Sequence, residues 1–135
     1  MNNLIFDSSA LAAYLTDGPG AGDVSDWLLR LVGETELHGW MSTTAAGELY
    51  HMVMRRKNEQ TAERALRALT SLPIQLVEPD LELAVEAAKL KATHAISYVD
   101  ALTAALTIRE QGLLIAADPI FEELRGIPHF SVQYL

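Results

Sequence analysis

The chain has no cysteine, no excess of basic residues and no long apolar run, and each absence removes a class of protein. Without cysteine there is no disulfide, no thiolate nucleophile and no cysteine-ligated zinc, which suits a reducing cytoplasm and leaves only oxygen-ligated metals open. A formal charge of −8 argues against holding nucleic acid on a broad basic face, because such binding rests on neutralising phosphates. It leaves room for a nuclease, since a site that gathers carboxylates around divalent cations is acidic when empty. No stretch approaches the ~20 apolar residues that span a bilayer, and the start shows no basic region followed by an apolar one, so no membrane association is expected. Also missing are a hairpin signal of two turn residues between strands, an internal repeat and a linker.

What is present is an alternation of strand and helix patterns in 135 residues, half of them hydrophobic, enough for one core. Leu4-Ile5-Phe6 reads as a buried strand that stops at Asp7, followed by a helix over 8–16. A flexible turn is expected at Asp17-Gly18-Pro19-Gly20-Ala21-Gly22. Val24, Trp27, Leu28 and Leu31 mark a helix with Trp27 in the core and Gly33 at its end. His38–Ser42 reads as a second strand, with Thr43 or Thr44 capping a helix to about Lys57, and 59–71 as an amphipathic helix with Arg64 and Arg67 in solvent. Gln75–Val77 reads as a strand, Asp80 caps a helix to Thr93, and the most apolar helix starts near Ser97 and ends at Gly112. Leu113–Ala116 is a strand that again stops at an aspartate, Asp118, before Pro119 opens a short helix and a last strand covers Phe130–Val132. This alternation indicates an α/β fold with a mainly parallel central sheet and helices on both faces. Right-handed crossovers then gather the strand ends on one edge, where ligands bind in such sheets.

Four acids stand out: Asp7 and Asp118 at strand ends, Glu48 inside a mostly apolar helix and Asp100 in the first turn of another. Each has an ordinary alternative. Asp7 and Asp118 fit helix N-caps, Ser97 and Asp100 have the spacing of a capping box, and Glu48 can point to solvent. Together they are harder to dismiss, because a charge in an apolar setting costs several kcal/mol unless it is paired or coordinates a cation. Lys91 and Arg109, the nearest cations to Asp100 in sequence, are not at helical pairing distance. Mg²⁺, held through one or two carboxylates with water and substrate phosphates, resolves the imbalance. His38, His51, His94 and His129 are scattered and form no pair.

Leu4–Leu11, the Glu48 helix, Ser97-Tyr98-Val99-Asp100-Ala101 and Ala117-Asp118-Pro119-Ile120-Phe121 resemble the four signature regions of PIN-domain ribonucleases, and among them the VapC-type toxins of bacterial and archaeal toxin–antitoxin pairs. The resemblance implies a single PIN domain over 1–135 and a cytoplasmic enzyme that hydrolyses RNA with Mg²⁺, for which Mn²⁺ can substitute, leaving a 5′-phosphate. It assigns Asp7, Glu48, Asp100 and Asp118 to the catalytic metal cluster, with a hydroxyl of Ser8 or Ser9 supporting substrate or metal water. It further implies a homodimer and a cognate antitoxin that inserts Arg or Lys among those acids. Tyr50, Met52, Val53 and Met54 give the Glu48 helix more apolar surface than one buried stripe, as a subunit or antitoxin interface would, although a fully buried helix has the same pattern. One departure is Ala116, where members often carry Thr or Ser, followed by Ala117 where Gly is common.

Rival readings are a haloacid-dehalogenase-like phosphatase, a phosphoacceptor receiver and a non-catalytic module that keeps the PIN fold. The phosphatase needs Asp-x-Asp after its first strand, where this chain has Asp7-Ser8-Ser9. The receiver needs paired acids there and a late strand-terminal lysine, which is absent.

Overall fold

A computed structural model describes residues 2–135. In chain order the elements are β1 (Asn3–Phe6), α1 (Ser8–Leu15), α2 (Ala21–Gly33), β2 (His38–Ser42), α3 (Thr43–Arg56), α4 (Glu59–Thr70), β3 (Ile74–Val77), α5 (Leu81–Thr93), α6 (Tyr98–Arg109), β4 (Leu113–Ala116), a 3-10 helix (Pro119–Leu124) and β5 (Val132–Tyr134). The five strands form one sheet in the order β3-β2-β1-β4-β5, and every neighbouring pair is parallel. β1 is therefore central, and its register with β4, Phe6 opposite Ile115, brings the ends of those two strands side by side.

Side-chain alternation along β1 sends Leu4 and Phe6 into a core shared with α1, α2, α3 and α4, and Ile5 into a second core under α5, α6 and the 3-10 helix. The expected two-faced α/β architecture is what these residues build. α6 lies almost wholly inside the second core, with Ala101 to Thr107 all buried, which is why its sequence shows no polar stripe. Among the described residues no helix is long and apolar enough to cross a membrane.

Several local expectations shift. Ser42 caps α3 by accepting the Thr44 N–H at 3.3 Å, while the Thr44 hydroxyl lies 2.6 Å from the Ser42 hydroxyl. Gly33 is the last helical residue of α2 and Glu34, extended, terminates it. The turn before α2 is held by backbone bonds, Gly18 N–H to Ala13 C=O at 2.7 Å and Ala21 N–H to Gly18 C=O at 3.1 Å. Trp27 is half-buried at the rim of the core, with the Arg30 guanidinium 4.9 Å from its ring centre. α6 stops at Arg109, and Gln111, not Gly112, takes the left-handed conformation with φ of 49°. Gly112 is needed for a different reason: a Cβ there would sit 2.4 Å from Ile5 Cδ1 and 2.7 Å from the Asn3 carbonyl oxygen. The last strand begins two residues later than its sequence pattern suggested, because Phe130 turns into the core and packs 6.5 Å from the Phe121 ring before the chain joins β4.

Candidate active site

The carboxyl ends of β1 and β4, the first turn of α6 and the middle of α3 meet at one edge of the sheet. Asp7 follows β1 directly and is 2% exposed, so the strand does deliver a carboxylate to a buried tip. It is also the N-cap of α1: Oδ2 accepts the Ser9 N–H at 3.1 Å and the Ser9 hydroxyl at 2.6 Å. The other oxygen, Oδ1, is buried with no hydrogen-bond partner. The capping role thus uses half of the carboxylate. A buried acceptor left unpaired costs about 1–3 kcal/mol, and more when it is charged.

Ser8 and Ser9 are both drawn into the acid cluster. The buried Ser8 donates its hydroxyl to Glu48 Oε1 at 2.7 Å, which turns that half-buried side chain toward β1 and away from open solvent. The Ser9 hydroxyl gives its proton to Asp7 and accepts the N–H groups of Ala117 at 2.9 Å and Asp118 at 3.2 Å, so one oxygen ties the tip of β1 to the tip of β4. Asp118 caps the 3-10 helix through Oδ1, 3.0 Å from the Ile120 N–H, and is otherwise exposed. Asp100 sits half-buried in the first turn of α6, its N–H donating to the Ser97 hydroxyl at 3.1 Å. The capping roles of Asp7, Asp118 and Ser97 are therefore real, while of the Ser97–Asp100 capping box only the Ser97 half is formed. None of them consumes the carboxylates.

Electrostatics shows which acids share a field. Burial pushes the Asp7 carboxyl up to about 6, the two bonds from Ser9 pull against that, and Asp100 and Glu48 add to the rise. Partial burial raises the Asp100 carboxyl as well, opposed by Ser97 and reinforced by Glu48 and Asp118. Asp7 interacts with Asp100 and Glu48, and Asp100 with Glu48 and Asp118, so all four acids singled out in the sequence form one electrostatic group. Among the described residues no ion pair reaches any of the four: Arg109 pairs with Asp80 at 3.3 Å and Glu110 at 3.5 Å, and Lys91 donates to the Ile96 carbonyl at 3.0 Å.

The donor set is carboxylate and hydroxyl oxygen, which suits a hard cation such as Mg²⁺. The unpartnered Oδ1 of Asp7, in a cluster with no counter-charge among the described residues, is the observation that fits such an ion. Among the described residues no three acids or histidines already stand in a closed metal-holding group. Mg²⁺ does not need one, since it keeps several waters and takes substrate phosphates as ligands. Ala116, the departure noted in the sequence, is fully buried in the core; the hydroxyl present at that strand tip comes from Ser9.

Beside the acids runs a groove of about 370 Å³ between α1, α3 and the β4 tip, lined among others by Ser9, Thr16, Pro19, Met52, Arg56 and Asp118. The sequence reading did not include Arg56, although its signal is plain: Arg55-Arg56-Lys57 is the only run of three cations in an acidic chain. In α3, Val53 is buried, Tyr50 and Met52 are half-buried and Met54 is exposed, so the helix is neither a single stripe nor enclosed.

No curated protein matches the chain as a relative. Solved structures do match its fold. VapBC2 from Rickettsia felis, bound to a DNA fragment from its promoter, superimposes with a TM-score of 0.77 at 14% identity, covering 98% of both chains. The sarcin–ricin loop cleaving toxin VapC20 of Mycobacterium tuberculosis does so with 0.73 at 20% identity, covering 90% of this chain and 95% of that one. VapBC-5 of the same organism gives 0.68 at 14% identity over the whole of both chains. The PIN domain family model matches residues 4–127, which hold all four acids, and with that match the chain belongs to the PIN domain family.

Proposed function

We propose that this PIN domain is a metal-dependent endoribonuclease, the VapC-type toxin of a type II toxin–antitoxin pair, acting in the cytoplasm. The observation that carries the reading is the buried, unpartnered Oδ1 of Asp7 within a group of four acids that no cation among the described residues reaches. Its likeness in fold to VapC20, a toxin that cleaves the sarcin–ricin loop, supports RNA as the substrate class.

In this reading Asp7, Asp100, Asp118 and Glu48 hold Mg²⁺ or Mn²⁺. Such an ion lowers the pKa of a bound water and offsets charge on a phosphoryl oxygen. The protein's share is to hold the carboxylates in place. Ser8 fixes Glu48, and Ser9 fixes Asp7 while keeping the β1 and β4 tips together. Burial pushes the Asp7 carboxyl up to about 6 in the metal-free chain, so protons would compete with the metal for it at acidic pH.

The partners in this reading are RNA, a homodimer mate and a small antitoxin. The fold neighbour VapBC-5 is a member of the VapBC family of toxin–antitoxin systems, which supports the last of these. An arginine or lysine from the antitoxin, set among the same acids, supplies the missing cation and competes with the metal. Cleavage of single-stranded RNA with Mn²⁺ or Mg²⁺ and its loss in excess EDTA test the enzyme. Cleavage undiminished by EDTA overturns it, and a chain that binds RNA yet never cuts it is a non-catalytic module.

A further inference from the structure

The cations of this chain are unevenly employed. Arg30, Lys89, Arg109 and Arg125 each meet a carboxylate, Arg64 donates to the Thr61 hydroxyl and Lys91 to a backbone carbonyl. Among the described residues that leaves Arg55, Arg56, Lys57 and Arg67 without a side-chain partner, and three of these are consecutive at the C-terminus of α3. The helix dipole favours cations there, which accounts for charge of this sign but not for where Arg56 lies. Arg56 lines the groove that opens onto Ser9 and Asp118 and also a smaller adjoining cavity with Lys57. It is eight residues from Glu48 on the same helix, about 12 Å at 1.5 Å per residue, beyond the ~8 Å over which charge is felt in physiological salt. Accordingly Arg56 does not appear among the groups that shift Asp7 or Asp100.

A polyanion approaching an edge with four carboxylates, on a chain of net charge −8, is repelled unless a cation waits along its path. We propose that Arg56 binds a backbone phosphate of the RNA strand, so that the groove from Asp118 to Arg56 is the track of the strand on one side of the cut. The inference rests on the ribonuclease reading for its substrate. It adds a phosphate-positioning residue that the acid cluster does not supply. Arg56 contacts substrate away from the reacting atoms, so it sets affinity, not chemistry.

The test measures binding of the whole chain to a fluorescent single-stranded RNA of mixed sequence in EDTA, as the slope of log Kd against log salt. Arg56→Gln should lower the slope by about 0.7, the release expected for one phosphate contact on a single strand. Arg67→Gln, exposed on α4 and outside the groove, should leave it unchanged. With Mn²⁺ present, Arg56→Gln should raise KM and keep kcat. The proposal is overturned by a slope that Arg56→Gln does not alter, by an equal change from Arg67→Gln, by the absence of any binding at low salt, or by a fall in kcat alone. Cleavage that survives with the slope unchanged sinks the phosphate site and spares the nuclease. A slope that responds to Arg56 in a chain that never cleaves does the reverse.

Discussion

At the amino edge of the sheet, Asn3 donates to the Glu110 carbonyl at 2.8 Å and accepts the Trp40 indole N–H at 2.9 Å, while Arg109 meets both Asp80 and Glu110. Gly112 lets β4 start against β1 with no room for a Cβ. At the carboxyl edge, some four residues away along the same strands, polar groups are just as dense but do not balance. Asp7 Oδ1 has no partner, and Asp7 and Asp100 are both pushed toward protonation, first by burial and then by the neighbouring acids. The two edges share strands, register and core. What differs is that one pairs its charges internally and the other, among the described residues, does not, and perturbed groups of that kind mark a candidate binding site.

If that contrast is correct, removing charge should act in opposite directions at the carboxyl edge, harming activity and helping stability. The largest effect is on cleavage: Asp7→Asn, Asp100→Asn and Asp118→Asn should each reduce it by at least ~1000-fold, since in the proposed reading each removes, at nearly constant shape, charge that would hold the metal. Activity per folded molecule, with folding checked by circular dichroism, decides this; survival in Asp100→Asn would leave that residue only its place in the helix cap.

Next comes stability. The Asp7 pKa of about 6 lies above its ordinary value of 3.8, so between those values the folded state binds more protons than the unfolded one. Stability from this group is full below pH ~4 and is lost as pH rises through about 6. Asp7→Asn should therefore stabilise the metal-free protein at pH 7 by at most about 3 kcal/mol, from a shift of about two units at 1.36 kcal/mol each less the cost of an unpaired buried amide group, and flatten that part of the pH profile. Urea unfolding at pH 4.5 and 7 measures both. A destabilised Asp7→Asn would mean that Asp7 is a structural cap first.

Ser9→Ala should destabilise by about 1–3 kcal/mol, because the buried Asp7 carboxylate loses a charge-assisted bond while the exposed Ala117 and Asp118 N–H groups can turn to water. Its effect on cleavage should be larger than its effect on folding, as the Asp7 carboxylate loses its restraint. Thermal unfolding beside kcat separates the two. The smallest change belongs to the amino edge, where Arg109→Gln should alter stability by no more than ~1 kcal/mol, the Arg109–Asp80 pair being largely exposed, and leave cleavage untouched. A loss of cleavage there would erase the distinction between the edges.

Most of the architecture was open to reading from sequence because β1 and β4 are short apolar runs that stop at or just before an aspartate, and every α-helix except α2 carries a side-chain cap. Asp80 before Leu81 and Ser97 before Tyr98 gave helix starts that the structure keeps, with cap bonds at 2.8 and 3.1 Å. Legibility failed where two residues of the same local chemistry compete. Ser42 displaced Thr43 and Thr44 as the cap, and Gln111 took the left-handed position that a glycine beside it seemed to claim. It failed again at β5, where burial of Phe130 overrode the apolar pattern.

By itself the sequence determined the class of fold, the strand-terminal positions of Asp7 and Asp118, and the shortage of cations near the acids, since these follow from local pattern and charge count. Only the tertiary structure decided that Ser8 reaches forty residues along the chain to Glu48, and that Ser9 joins β1 to a tip more than a hundred residues away. It alone decided that one oxygen of Asp7 is spent on a cap while the other is left unpaired, and that Arg56 shares a groove with Asp118. The physical reason is that caps and periodicities are properties of neighbouring residues. Desolvation, orphaned acceptors and shared fields arise from parallel strands whose register brings distant parts of the chain together.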